Sequence, residues 1–239
     1  LLEVIGKGGM GAIFRAWQAS MDRQIAIKTI LPNKADDELA RAKFISEALV
    51  TGELDHPNIV PAYELGRSSD RALFYAMKEV QGTNWKDVIQ DKTEAENLQI
   101  LLDVCDAMAF AHDRGYVHRD LKPENTMLGD YGEVLVMDWG LAVCVNDDGK
   151  AEPITDEMSR AGTAAYMAPE MAACQCGVIG PWSDIYLLGG MLFEIVTGLK
   201  PHSGEGGIYA CIYQAMTNQI QETDEEGELI DIALTAMAT

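Results

Sequence analysis

The spacing of apolar and polar positions divides the chain into two stretches of different character. In the first, "EVIGKGGMGAIFRAW" sets a glycine cluster between flanks rich in strand formers, and "RQIAIKTI" alternates as a half-buried strand does. Residues 2–30 therefore read as strand, turn, strand, turn, strand. Over 38–54 the period lengthens. Ile45, Ala48, Leu49 and Gly52 fall on one face of a predicted helix, and "HPN" at 56–58 ends it. "NIVPAYEL" and "ALFYAMKEV" read as two further strands. After "VQGTNW" the pattern turns helical. Leu98, Leu101, Leu102, Cys105, Met108 and Ala109 recur at helical spacing over 95–114, and Gly115 offers a C-cap. Short strand-like pieces follow at 125–137, then a polar, aperiodic stretch at 145–162 that reads as an exposed loop. "WSDIYLLGGMLFEIVTG" is apolar nearly all round, as befits a helix at the centre of a lobe. The expectation is an α+β chain with a sheet-rich region at 1–80 and a helical region at 81–239.

Composition agrees with an ordinary globular protein. The 239 residues suffice for one large domain or two small lobes, with 48% hydrophobic and 23% charged residues. No apolar run reaches bilayer-spanning length, and the nearest, "IYLLGGMLFEIV", carries Glu194. No leader pattern opens the chain, which begins at Leu1 without Met and is read as a fragment of something longer. Five cysteines (105, 144, 174, 176, 211) are an odd set without paired C-x-x-C spacing. Free thiols in a reducing cytosol are expected, with the Cys174/Cys176 C-x-C weak as a metal pattern. The net charge of −20 disfavours nucleic acid. It is also uneven. Residues 1–80 balance their charges within one unit, so the excess of carboxylates sits in 81–239. A basic substrate or a bound metal suits that acidic half, and so does plain solubility.

Several residues carry chemistry only in combination. Gly6, Gly8 and Gly11 spell G-x-G-x-x-G, whose small residues let backbone N–H groups close over phosphates. Strand-like "AIFRAW" follows, where a dinucleotide-binding fold needs a helix, so a hairpin lid is favoured; a Gly-rich turn without ligand fits the same residues. Lys28 ends the apolar "IAIK" and is costly to bury unless paired. Glu47, on the core-directed side of the predicted helix, is a candidate partner, although either residue alone is ordinarily exposed. In "HRDLKPEN", Asp120 can orient a hydroxyl or take its proton, and Lys122 can neutralise a transferring phosphoryl group. Asn125 and, in "VMDWG", Asp138 offer oxygen ligands suited to Mg²⁺. A polar loop and a simple turn are the plainer readings of these two segments.

The order of these pieces decides among the alternatives. "GKGGMGAIFRA", "IAIK", "HRDLKPEN", "DWG", "GTAAYMAPE" and "SDIYLLGGMLFEIVTG" together resemble the bacterial eukaryotic-like (Hanks-type) serine/threonine protein kinases, from residue 2 to about 202. The resemblance implies a bilobal protein-kinase fold: an antiparallel-sheet N-lobe with one main helix, and a larger, mostly helical C-lobe. It implies ATP and Mg²⁺ as cofactors. Gly6, Gly8 and Gly11 would cover the phosphates, and Lys28, paired with Glu47, would hold two of them. Asp120 would be the base, Lys122 the γ-phosphate clamp, and Asn125 and Asp138 the metal ligands. Thr163 would shape the peptide-docking floor. Ile5, Ile13, Ala26 and Met127 would sandwich the adenine, Met77 would guard the back pocket, and Glu79 and Val80 would give hinge backbone groups. Protein substrates with Ser or Thr, basic around the target, are implied. Within this fragment no membrane contact is expected, and the domain is placed in the cytoplasm, with a membrane-anchored parent and a homodimer both compatible.

The sequence also departs from the family pattern. Trp139 stands where Phe is usual and is expected to pack near His118. Thr51 replaces an apolar residue one turn after Glu47. Glu170 normally pairs with a late arginine that this chain does not contain. Arg119 before Asp120 implies an activation loop that takes up an anion, with Thr155 or Ser159 as candidate autophosphorylation sites and Asp156 and Glu157 as substitute charge. The resemblance admits two other functions: a pseudokinase that binds nucleotide as a regulatory scaffold, and a small-molecule phosphotransferase. Retention of Lys28 and Asp138 speaks against the first, and "GTAAYMAPE" against the second.

Overall fold

A computed structural model of the chain describes residues 2–8, 11–68, 72–145 and 162–238. Three strands, β1 (Glu3–Lys7), β2 (Gly11–Gln18) and β3 (Arg23–Ile30), open the chain as the alternation predicts. Helix α1 (Glu38–Glu53) follows, capped by Asp37, whose side chain accepts from the Ala40 N–H at 3.1 Å. Strands β4 (Ala62–Arg67) and β5 (Leu73–Met77) complete a five-stranded antiparallel sheet of order β1-β2-β3-β5-β4. Alternate residues of β3 and β5 meet α1 in a small core that includes Ala26, Ile30, Phe44, Ala48 and Tyr75.

The predicted face of α1 needs correction. Ala40, Phe44, Glu47, Ala48, Val50 and Thr51 are buried, whereas Leu49 is 39% exposed and Gly52 is exposed too. The helix has little apolar bias to read, because its inner side carries a glutamate and a threonine. Its last turn sends Val50 and Leu54 into the second, larger core, so α1 belongs to both.

Beyond β5 come β6 (Gly82–Asn84), the short α2 (Trp85–Val88) and the long α3 (Glu94–Asp113). Thr93 and Glu96 close a capping box on α3, and Gly115 follows its end at φ +79°. Its buried stripe is Asn97, Ile100, Leu101, Val104, Ala107, Met108 and Ala111. The predicted stripe shares only Leu101 and Met108 with it; Leu102 is 57% exposed. Both stripes have helical period, and only the packing partner selects which faces inward. Strands β7 (Tyr116–Val117), β8 (Thr126–Gly129), β9 (Val134–Val136) and β10 (Val143–Cys144) form two small sheets, β10-β7 and β6-β8-β9. They frame the segment between them. Helices α4 (Pro169–Ala172), α5 (Pro181–Thr197), α6 (Ile208–Met216) and α7 (Glu228–Ala236) complete the larger part. As expected, α5 is its axis: Tyr186, Leu187, Leu188, Met191, Leu192 and Phe193 are all buried. Among the described residues no helix is long and apolar enough to cross a membrane, and no two cysteines form a disulfide.

Candidate functional site

A cavity of 480 Å³ opens between the sheet and the β8–β9 segment. Its roof is the β1–β2 hairpin, with Gly6, Gly8 and Gly11 on the wall. The Gly8 N–H donates to the Gly11 carbonyl at 2.9 Å, which holds the end of β1 against the start of β2. A Cβ at Gly11 would lie 2.7 Å from the Thr29 carbonyl, so this close approach of strands requires glycine.

On one side of the cavity Lys28 stands on β3, opposite Tyr75 in the register of β5. Its ammonium bonds the Glu47 carboxylate of α1 and lies 3.6 Å from Asp138 Oδ1. Burial would push the Lys28 ammonium toward neutrality, but the Glu47 and Asp138 carboxylates outweigh it and hold its pKa above the usual lysine value. Tyr75 donates its hydroxyl to the same Glu47 oxygen at 2.5 Å. Burial, then the Glu47 charge, raises the Tyr75 pKa well above the ordinary phenol value, so the hydroxyl keeps its proton. Thr51, the polar departure on α1, donates to the Glu47 carbonyl one turn back.

Below, the segment between β7 and β8 gathers the second cluster. Lys122 Nζ donates to Asp120 Oδ2 at 2.7 Å and to Thr163 Oγ1 at 2.5 Å. Thr163 in turn donates to Asp120 Oδ1 at 2.9 Å. The Asn125 amide donates to the Asp120 carbonyl and to Oδ2. Asp184, fully buried in the first turn of α5, accepts from the backbone N–H groups of His118 and Arg119 at 2.8 and 2.9 Å, and pairs with His112. This anchor fixes Arg119 at φ +70°, a left-handed conformation unusual outside glycine. Asp138 has φ +58°, the second such residue at the site. Strained backbone of this kind persists where the surroundings over-determine it.

The remaining predicted residues distribute as follows. Ile13, Met77 and Met127 line the cavity. Ala26 is buried in the sheet, paired in register with Met77. Ile5 is 42% exposed, and Glu79 and Val80 follow β5; these three lie off the cavity wall. The Glu79 carboxylate is bonded by Arg15 of β2. Thr155 and Ser159 lie outside the described residues. Trp139 does pack edge-on against His118, ring centres 4.7 Å apart. Glu170 accepts from the Ser183 hydroxyl at 2.6 Å. Sequence reading missed Val60, Tyr75 and Met137 on the wall, and Asp184 beneath the loop. A carboxylate in the first turn of an otherwise apolar helix was the available signal for Asp184.

Asn125 and Asp138 line the same cavity. Among the described residues no group of three or more His, Cys, Asp or Glu could enclose a metal by itself. Two oxygen-bearing side chains beside a paired ammonium fit Mg²⁺, which keeps waters and phosphate oxygens in its shell.

The sheet with its single helix, the helical half built on α5, and two polar clusters, one on the cavity wall and one that reaches it through Asn125, define the bilobal protein-kinase fold. Residues 1–233 match the protein kinase domain family, and the chain belongs to it. It is 36% identical over 229 residues to the serine/threonine-protein kinase PknD of Protochlamydia amoebophila, covering 84% of this chain and 23% of that protein. It is also 36% identical over 211 residues to the serine/threonine-protein kinase PrkC of Bacillus subtilis, covering 87% of this chain and 32% of PrkC. PknB of Mycobacterium tuberculosis, again a serine/threonine-protein kinase by name, is 32% identical over 212 residues, covering 86% and 33%. The chain thus spans about a quarter to a third of the length of these relatives.

Proposed function

We propose that this chain is the catalytic domain of a serine/threonine protein kinase that transfers the γ-phosphoryl group of ATP to protein hydroxyls. The observation that carries the reading is the Lys28 ammonium, bonded to Glu47 and 3.6 Å from Asp138 on the wall of a 480 Å³ cavity. A buried cation fixed between two carboxylates is arranged to receive an anion. Residues 1–80 form one lobe and 81–239 the other. The β1–β2 hairpin covers the phosphates, and Ile13, Met77 and Met127 on the cavity wall enclose the base, with Ala26 behind Met77 in the sheet, Ile5 on the hairpin outside the wall, and backbone groups of Glu79 and Val80 at the hinge after β5.

The target hydroxyl sits against Asp120, which orients it and accepts its proton as the oxygen attacks the γ-phosphorus. The bond from that phosphorus to the bridging oxygen breaks, and ADP leaves with the electron pair. Lys122, between Asp120 and Thr163, offsets the charge on the moving group. Asn125 and Asp138 would hold Mg²⁺, which supplies charge neutralisation on the phosphates when bound. Thr155 and Ser159 are the candidate sites of autophosphorylation. The substrates are proteins, basic around the target residue, which suits the acidity of 81–239. The domain works in a reducing cytoplasm, where its five cysteines stay reduced.

Transfer of labelled γ-phosphate from Mg·ATP to a basic protein such as histone, beside an aminoglycoside, tests the reading. Label on Ser or Thr of the protein is expected. Label on the aminoglycoside alone, or nucleotide binding without transfer, overturns it. Intact mass after incubation with ATP, followed by peptide mapping, tests Thr155 and Ser159; a chain with both changed to Ala that keeps full activity would remove them from the regulation.

A further inference from the structure

Glu47 can grip Lys28 only if its own carboxylate is held still. Its Oε1 receives the Lys28 ammonium and the Tyr75 hydroxyl. Its Oε2 is buried without a hydrogen-bond partner among the described residues. Tyr75 is therefore the one neutral donor on this carboxylate among those residues. It is 3% exposed, its ring is tilted against Phe44 of α1 at 5.5 Å, and it stands opposite Lys28 in the β3–β5 register. The same strand–strand pairing that places the lysine thus places a second donor directly across from it, and the Phe44 contact leaves the phenol little room to turn away from α1. Tyr75 also lines two cavities: the nucleotide cleft and a separate 300 Å³ groove between α1 and β4. Its ring is a wall between them.

We infer that Tyr75 is a positioning residue for phosphate binding: its hydroxyl orients Glu47 and, through Glu47, sets Lys28 toward the nucleotide's phosphates. The inference rests on the kinase reading of Lys28. Without the hydroxyl, Glu47 keeps, among the described residues, only the flexible lysine as a donor. The carboxylate can then rotate, and Lys28 is shared between Glu47 and Asp138 in more than one arrangement. Nucleotide affinity falls, while the chemistry centred on Asp120 proceeds once the nucleotide is in place.

The test compares wild type, Tyr75→Phe, Lys28→Met, Glu47→Ala and the Tyr75→Phe/Glu47→Ala pair. Mg·ATP affinity is measured by calorimetry, and steady-state transfer to a basic peptide is followed in parallel. For Tyr75→Phe the KM for ATP should rise roughly three- to tenfold, a part of what one hydrogen bond to a buried charge is worth because the hydroxyl acts on the nucleotide only through Glu47, with kcat and peptide KM near wild type. Adding Tyr75→Phe to Glu47→Ala should change nothing further, because the hydroxyl acts through that carboxylate. Two results overturn the inference: wild-type ATP affinity in Tyr75→Phe, or a further loss in the pair equal to that of Tyr75→Phe alone. A merely structural tyrosine would instead lower Tm and kcat together and leave KM alone, which also overturns it. If wild type fails to bind Mg·ATP, or Lys28→Met binds it as well as wild type does, the assignment of Lys28 falls and the inference falls with it.

Discussion

Both carboxylate oxygens of Asp120 are engaged before any substrate hydroxyl arrives, by Lys122 and Asn125 on one and Thr163 on the other. The side chain is thus oriented by its neighbours rather than by its own rotamer preference. Asp120→Asn keeps the shape, removes the charge and supplies an amide where a proton acceptor is needed. Transfer should fall by about 10²–10⁴-fold, the usual contribution of a positioned base. Nucleotide affinity should hold, because Lys28 and the β1–β2 hairpin are untouched. Parallel calorimetry and phosphate-transfer assays check both halves of the prediction. Turnover close to wild type would remove Asp120 from its proposed role.

At the scale of elements, α5 supports the site from below. Asp184 at its first turn satisfies two backbone N–H groups of the loop that carries Asp120. Asp184→Ala leaves those donors buried and unpaired, and should destabilise the fold by about 2–4 kcal/mol in urea titration. It should also lower transfer in the fraction that remains folded, because Arg119 is released from its left-handed conformation. The middle of α5 is set by contact with α7. A Cβ on Gly189 would come within 2.7 Å of the Ala236 Cβ and 3.0 Å of the Ala233 carbonyl. Gly189→Leu should therefore push α7 away and cost about 1–3 kcal/mol, read as a lower Tm by calorimetry. Stability as great as wild type would mean that α7 is free to shift.

Over the whole molecule, buried ionisable groups tie the fold to pH. His202 is fully buried, with its ring nitrogens against the Gln219 and Met167 carbonyls and the Tyr186 hydroxyl. Burial lowers its pKa below the ordinary histidine value. In the unfolded chain the ring takes up a proton near pH 6.5, before the folded one does. Stability from this group is therefore present above that pH and is lost as pH falls toward the lowered folded value. Urea midpoints at pH 7.5 and 5.5 should separate more for wild type than for His202→Asn. Equal separations would show that His202 does not contribute.

The order and kind of the main elements were legible in the residues, because strand alternation, helical period and caps such as Asp37 and Thr93 act over a few positions. The proposed site residues were legible as motifs too, since Lys28, Asp120, Asn125 and Asp138 stand in runs whose spacing is local, and the fold brings Lys28, Asn125 and Asp138 to one cavity. What needed three dimensions was every choice between equivalent faces. The stripe on α3 moved to Ile100 and Val104, and the inner side of α1 proved to be Phe44, Glu47 and Thr51. In the same way, Tyr75 and Asp184 lie 28 and 66 residues from the groups they bond, Glu47 and the His118 N–H. Periodicity fixes which side chains share a face, but only packing against a partner distant in sequence decides which face is buried and which polar atoms meet there.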